Sequence, residues 1–203
     1  MSSKGEDKKA YVFPPSTAFG AYSFKNITQG AQNAYPIQNG SCTGEIGVDQ
    51  LDEFDIKTIL IGHSERRHIL KESNELIKEK YVFFKARGFE IFFCIGEPLG
   101  VKESGFDKVL EYNLAQLEGI DLDYEKLTVA YEPVWAIGTG VSAKTEDIDT
   151  IHKELKKYIK APLLYGGSVK PSNAKEILSL ESVDGALIGT ASWELDSFLA
   201  IIG

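Results

Sequence analysis

Hydrophobic residues in this chain gather in short runs, separated by stretches whose apolar positions recur every three or four residues. Seven runs stand out: Ala10 to Phe13, Ile27 to Ala31, Thr58 to Ile61, Glu90 to Ile95, Thr128 to Tyr131, Pro162 to Tyr165 and Gly185 to Ile188. Most are apolar throughout rather than alternating, which is the pattern of parallel strands covered on both faces. Between them, Phe106, Val109, Leu110 and Leu117 form one helical face, interrupted by Asn113, and Ile148, Ile151, Leu155 and Ile159 form another. Ser73 to Arg87 predicts a third helix that ends at Gly88, where a C-terminal glycine is favoured. Ser192 to Ile202 predicts the last. Strands alternating with helices give βαβ units and a parallel sheet, so the fold class is α/β. No linker or low-complexity tract divides the sequence, and a single domain over residues 1–203 is expected, opening with a polar lead from Met1 to Lys9.

Composition narrows the function. A chain of 203 residues that is 43% hydrophobic can bury a sizeable core. A net charge of −8, with no run of Lys and Arg, disfavours a nucleic-acid surface. An anionic ligand must then be held by a local site. The two cysteines, Cys42 and Cys94, lie far apart without metal-like spacing, so neither a disulfide framework nor a metal site is expected. The charged start does not resemble a signal peptide, and no apolar run approaches the roughly 20 residues that span a bilayer. A cytoplasmic protein with no membrane partner is expected.

Several runs end in chemistry at the same side of the predicted sheet. Ile59 to Ile61 leads into Gly62-His63-Ser64-Glu65-Arg66-Arg67, Ile91 to Ile95 into Gly96-Glu97, and Val129 to Tyr131 into Glu132-Pro133. Leu163 to Tyr165 leads into Gly166-Gly167-Ser168, and Leu187-Ile188 into Gly189-Thr190-Ala191. Polar residues and glycines just past parallel strand ends are where an α/β fold places its site. The stretch from Val129 to Ala143 is the most specific. A strand delivers the Glu132 carboxylate, Pro133 ends the ladder, and an apolar flap with Val134, Trp135 and Ile137 follows, hinged at Gly138 and Gly140. An apolar flap beside a carboxylate excludes water and raises its basicity, as a general base requires.

These blocks resemble triosephosphate isomerase. The resemblance rests on Ala31-Gln32-Asn33, Thr43-Gly44-Glu45, Ile61 to Arg67, Cys94-Ile95-Gly96-Glu97, Ala130 to Gly140, Tyr165 to Ser168 and Gly185 to Ala191, in the family's order. It implies a TIM (β/α)8 barrel that interconverts dihydroxyacetone phosphate and glyceraldehyde 3-phosphate without a cofactor. It implies Glu132 as the base that moves a proton between two substrate carbons, and a neutral His63 as the electrophile; this enzyme is a standard worked case for that pair. Ser64 and Glu65 would support His63, whose helical turn disfavours the charged ring. Glu65 and Glu97 can form a buried ionic network with Arg66 or Arg67, or a solvated cluster. The phosphate would be gripped at Gly138, Ser168, Gly189 and Thr190. Cys94 reads as a packed strand residue, and His68 and His152 as structural or exposed. The loop from Asn33 to Glu45 corresponds to the one through which family members form homodimers.

Two departures qualify the match. Thr190 stands where the family usually has glycine, and its β-branch can resist the backbone geometry that glycine allows. Family members also carry a first strand ending in Asn-x-Lys, and a helix, before the strand that matches Ala10 to Phe13. The resemblance therefore implies a barrel with its first βα unit missing from this chain and about seven strands, in which no residue inherits the lysine. Two readings follow: a shortened isomerase, or a phosphate-binding relic of the family with impaired catalysis. A different phosphate-binding barrel accounts for Gly-Gly-Ser but not for His63 and the flap. A barrel short of one unit exposes core and a sheet edge. The 203-residue chain is accordingly expected to be of low stability. A cooperative melt well above about 60 °C, the upper end for ordinary mesophile domains, would contradict this.

Overall fold

The computed structural model describes residues 9–20, 26–137 and 143–203. Gly138 and Gly140 of the flap, and most of the polar lead, lie outside the described residues. Each of the seven apolar runs coincides with a strand, the fifth starting one residue earlier than expected: β1 (Ala10–Val12), β2 (Ile27–Gln29), β3 (Thr58–Ile61), β4 (Glu90–Ile95), β5 (Leu127–Tyr131), β6 (Leu163–Tyr165) and β7 (Gly185–Ala186). Hydrogen bonding groups these into a two-stranded and a five-stranded sheet, each in chain order. The helices are α1 (Val48–Asp52), α2 (Ser64–His68), α3 (Asn74–Lys85), α4 (Leu99–Lys102), α5 (Phe106–Gln116), α6 (Thr145–Leu155), α7 (Ala174–Leu178) and α8 (Leu195–Ile202). Alternation of strand and helix is thus observed, and β1 with β2, β5 with β6 and β6 with β7 pair in parallel.

The contacts divide the chain into two compact units. The first comprises residues 1–61 and 75–92. In it β1 and β2 pair in the register Ala10↔Ile27, and Ala31 bridges to Ile59 of β3. Its core is aliphatic and aromatic: Leu51, Ile56, Ile59, Ile77, Tyr81, Phe84, Phe89 and Ile91 are buried. The rings of Phe84 and Phe89 meet edge to face at 5.0 Å, and Gly88, at φ 73°, makes the left-handed turn that carries the chain out of α3. Gly30 sits so close to Phe13 that a Cβ there would lie 2.5 Å from the ring.

The second unit comprises residues 62–74 and 93–203. β5 pairs with β6 in the register Val129↔Leu163, and β6 with β7 through Leu164↔Gly185. The apolar stripe of α6, with Ile148, Ile151 and Leu155, is buried together with Val129, Leu163 and Tyr165. Parallel pairing brings the C-terminal ends of these strands to one edge. Gly96, Glu132, Gly166 and Leu187, the residues that follow the strands, therefore share that edge.

His152, on the inward face of α6, is fully buried. Its Nδ1 lies 3.2 Å from the Ser182 carbonyl oxygen, and its ring meets Tyr131 edge-on at 5.7 Å. Burial pulls its pKa from 6.5 down to about 4, against a smaller upward pull from the Ser182 carbonyl. A histidine that resists protonation when folded binds its proton first in the unfolded chain. Its contribution is intact above about pH 6.5 and is lost as pH falls toward 4. We expect acid to cost about 3 kcal/mol of stability through this ring alone. Urea titrations at pH 7.5 and 4.5 should show a smaller acid loss in His152→Gln than in the unsubstituted chain.

Candidate active site

Glu132 is 2% exposed, and its backbone is fixed on every side. Its N–H donates to the Ile95 carbonyl at 2.7 Å. Its own carbonyl is approached so closely by Gly96 that a Cβ on Gly96 would lie 1.8 Å from the oxygen. On the other side a Cβ on Gly166 would lie 2.8 Å from Cγ of Glu132. Only glycine fits at either neighbour. Gln116 of α5 braces Gly96 further, donating to its carbonyl at 2.9 Å and accepting from its N–H at 3.1 Å.

His63 meets this carboxylate. Its Nε2 lies 3.0 Å from Oε1 of Glu132, and the Ser64 N–H donates to Oε2 at 3.0 Å. His63 is the N-cap of α2, and its Nδ1 accepts from the Glu65 N–H at 3.4 Å. With Nδ1 acting as an acceptor, the ring proton sits on Nε2 and points at Glu132. Burial pushes the imidazole pKa down, but the hydrogen bond and charge of Glu132 outweigh it, so the net shift is upward from 6.5. That upward pull is chiefly Glu132's own. The Glu65 amide opposes it, because a doubly protonated ring has no lone pair at Nδ1 to accept with.

The candidate supporting groups separate into those that touch the pair and those that do not. Ser64 is buried, and it acts through its amide. The Glu65 side chain is 67% exposed and stands 3.9 Å from Nδ1, so its backbone is the part that contacts the ring. Glu97 is fully buried, and its bonds run to neutral donors: Asn113 Nδ2 at 3.0 Å, Tyr131 OH at 3.0 Å and Trp135 Nε1 at 2.8 Å. Arg66 pairs with Glu72 at 2.6 Å, while Arg67 bonds to carbonyls. The expected ionic network of Glu65 and Glu97 with these arginines is therefore replaced by separate contacts. Cys94 is buried in β4, and burial followed by the charge of Glu132 pushes its thiol pKa well up.

Asn113 and Trp135 carry information that pattern reading missed. Asn113 interrupts the apolar stripe of α5 because its amide serves Glu97 and the Val109 carbonyl. Trp135, in the 3₁₀ turn Val134–Ala136, ties the start of the flap to the same carboxylate and lies under the Lys102 ammonium at 4.7 Å. An asparagine inside an otherwise apolar helical stripe was the only sequence signal for this cluster.

Of the candidate phosphate-gripping residues, Gly138 lies outside the described residues. Ser168 follows β6, and its carbonyl accepts from Asn173 Nδ2 at 2.9 Å. Gly189 precedes the 3₁₀ turn Thr190–Ser192 at φ −87°, with open space where a Cβ would stand. Thr190 opens that turn in an ordinary helical state, so the β-branch meets no left-handed geometry here.

A sequence profile of triosephosphate isomerase matches residues 1–203. The chain belongs to the triosephosphate isomerase family. Curated relatives carry that name. The protein of Sulfurovum sp. (strain NBC37-1) is 58% identical over 202 residues, spanning 100% of this chain and 88% of the relative. That of a Nitratiruptor species is 55% identical over 200 residues, 98% of this chain and 85% of the relative. That of Helicobacter pylori (strain 26695) is 55% identical over 196 residues, 96% of this chain and 84% of the relative. Among the described residues no helix is long and apolar enough to cross a membrane.

The crowding at Glu132 is directly testable. Gly96→Ala must displace the Glu132 carbonyl, and we expect it to lose about 1 to 3 kcal/mol in urea denaturation. Gly189→Ala, which meets nothing, should stay within about 0.5 kcal/mol.

Proposed function

We propose that this member of the triosephosphate isomerase family interconverts dihydroxyacetone phosphate and glyceraldehyde 3-phosphate by proton transfer through an enediolate, the step that serves glycolysis and gluconeogenesis. The observation that carries the reading is the buried Glu132 carboxylate with the Nε2–H of His63 at 3.0 Å. A carbon acid beside a carbonyl is weak. Removing its proton needs a base held out of water and a donor that meets charge as it grows on oxygen.

In the proposed reaction Glu132 takes the proton from the substrate carbon next to the carbonyl. His63 gives its Nε2 proton to the oxygen that becomes anionic and takes back the hydroxyl proton of the neighbouring oxygen, so the ring ends as it began. The proton on Glu132 then returns to the neighbouring carbon, and the carbonyl reforms one position along. Neither step changes the oxidation level of the whole molecule, so no cofactor is required. Ser64 holds the carboxylate through its amide and Glu65 holds the ring through its own. The phosphate is assigned to Ser168, Gly189 and Thr190, together with Gly138, which lies outside the described residues.

On the same reading the described strands belong to a TIM barrel in a single domain, and the protein is a cytoplasmic homodimer. The Asn33 to Glu45 loop supports the dimer reading by its form. It projects an exposed tip with Gly40 at φ 147° and Gly44 at φ 92°, braced where Gln38 and Asn39 both donate to Asp49.

A coupled assay on both triose phosphates tests the proposal. Glu132→Asp withdraws the carboxylate by about 1 Å, and kcat should fall by about a hundredfold with KM little changed. His63→Gln should cost about a hundredfold to a thousandfold in kcat. Tight binding of phosphoglycolate without turnover would instead identify a phosphate-binding relic, and sedimentation as a monomer would remove the dimer.

A further inference from the structure

Arg67 is used by no step above, yet its side chain makes three hydrogen bonds close to His63. It leaves α2, turns back and places its guanidinium against the ends of two strands. Nε donates to the Gly62 carbonyl at 2.7 Å, Nη2 to the Cys94 carbonyl at 3.0 Å, and Nη1 to Asn74 Oδ1 at 2.7 Å. All three acceptors are neutral oxygens, so this is not an ion pair that happens to lie near the site. The ring of Phe93 lies beneath the plane, with Cζ 5.8 Å from its centroid. Gly62 makes room for it: at φ 76°, a Cβ on Gly62 would lie 2.7 Å from Nη2 and 3.1 Å from the Cys94 carbonyl oxygen.

The backbone of the same residue donates to the His63 carbonyl at 3.1 Å. Arg67 therefore grips the carbonyls of Gly62 and His63 in succession, one by side chain and one by amide, and both peptide planes that orient His63 are fixed. Its third arm reaches Cys94. The next residue along that strand, Ile95, takes the Glu132 N–H at 2.7 Å. One planar group thus spans the base of the histidine and the strand against which the carboxylate is registered. A lysine, with a single point of attachment, cannot reproduce a fork of this shape.

We propose that Arg67 is a positioning residue for the reaction, setting the His63 ring and the Ser64 amide against the Glu132 carboxylate through the carbonyls of Gly62, His63 and Cys94. The inference rests on the proposed roles of His63 and Glu132. It adds the group that holds them in register, and Arg67 touches no reacting atom.

Arg67→Lys keeps the charge and the stem and loses the fork, and Asn74→Ala removes one anchor from the guanidinium while leaving the other two. In folded Arg67→Lys we expect kcat to fall about tenfold to a hundredfold, because a displacement near 1 Å costs about that much. KM should stay within about threefold, and Asn74→Ala should fall between Arg67→Lys and the unsubstituted chain. The nuclear magnetic resonance signal of the Ser64 amide, which reports its bond to Glu132, should move and exchange faster in Arg67→Lys. Unchanged kcat in folded Arg67→Lys, or a rise in KM alone, overturns the proposal. If the unsubstituted chain turns over no triose phosphate, the isomerase reading fails separately, and an unmoved Ser64 amide in Arg67→Lys still overturns the positioning role.

Discussion

Two glycines press on one glutamate. Neither Gly96 nor Gly166 can carry a side chain without striking the carbonyl or the Cγ of Glu132. The candidate site is built outward from that packing. The strand that brings Glu132 to the sheet edge ends immediately at Pro133, and its last N–H is taken by Ile95. The neighbouring strand turns away through a glycine that Gln116 holds at both its polar groups. Such interlocking backbone contacts are stiff, since protein interiors pack at close to crystal density. Because the backbone around Glu132 cannot adjust, the partners of its carboxylate must be placed correctly by their own elements. The α2 turn does this for His63 and Ser64.

Around the candidate site the charges of Glu97 and Arg67 are divided among neutral partners. Among the described residues no arginine or lysine pairs with the buried Glu97, and three neutral donors from a helix, a strand and the flap converge on it. Arg67 mirrors this with three neutral acceptors. A buried ion costs several kcal/mol unless hydrogen bonds replace its water, and dipoles on fixed elements replace it without bringing a second ion into the interior. In both cases the geometry of the ion is dictated by the surrounding secondary structure. It follows that neither group would be recognised by looking for opposite charges at matching spacings.

That explains what could be read from the sequence. Most of the strands were visible because they are apolar throughout, as strands covered on both faces are, whereas β2, Ile27-Thr28-Gln29, is short and largely exposed. The helix of Ile148 and Ile151 was visible in its three-and-four spacing, and the end of α3 in Gly88. His63 and Glu132 stood out because each ends an apolar run, where parallel topology gathers strand termini. The partners of Glu97 were hidden for the opposite reason. Asn113, Tyr131 and Trp135 lie in three different elements, and nothing in their spacing marks a common target. Asn113 looked like a flaw in a helix face; it is the point where that face becomes a ligand. The role of the Glu65 amide was invisible in principle, since a backbone N–H leaves no mark on residue identity.

The immobility of the Glu132 main chain has a consequence for the entropy of catalysis. With its N–H bonded, its carbonyl hemmed in and Pro133 fixed at φ −63°, the residue can explore space only by turning its own side chain. Those torsions fall into a few staggered wells. A glutamate free in solution forfeits about 1.5 to 2 kcal/mol of rotational disorder on being ordered. Here most of that disorder was surrendered when the chain folded, so little is left to lose when the carboxylate takes up its position over a substrate carbon.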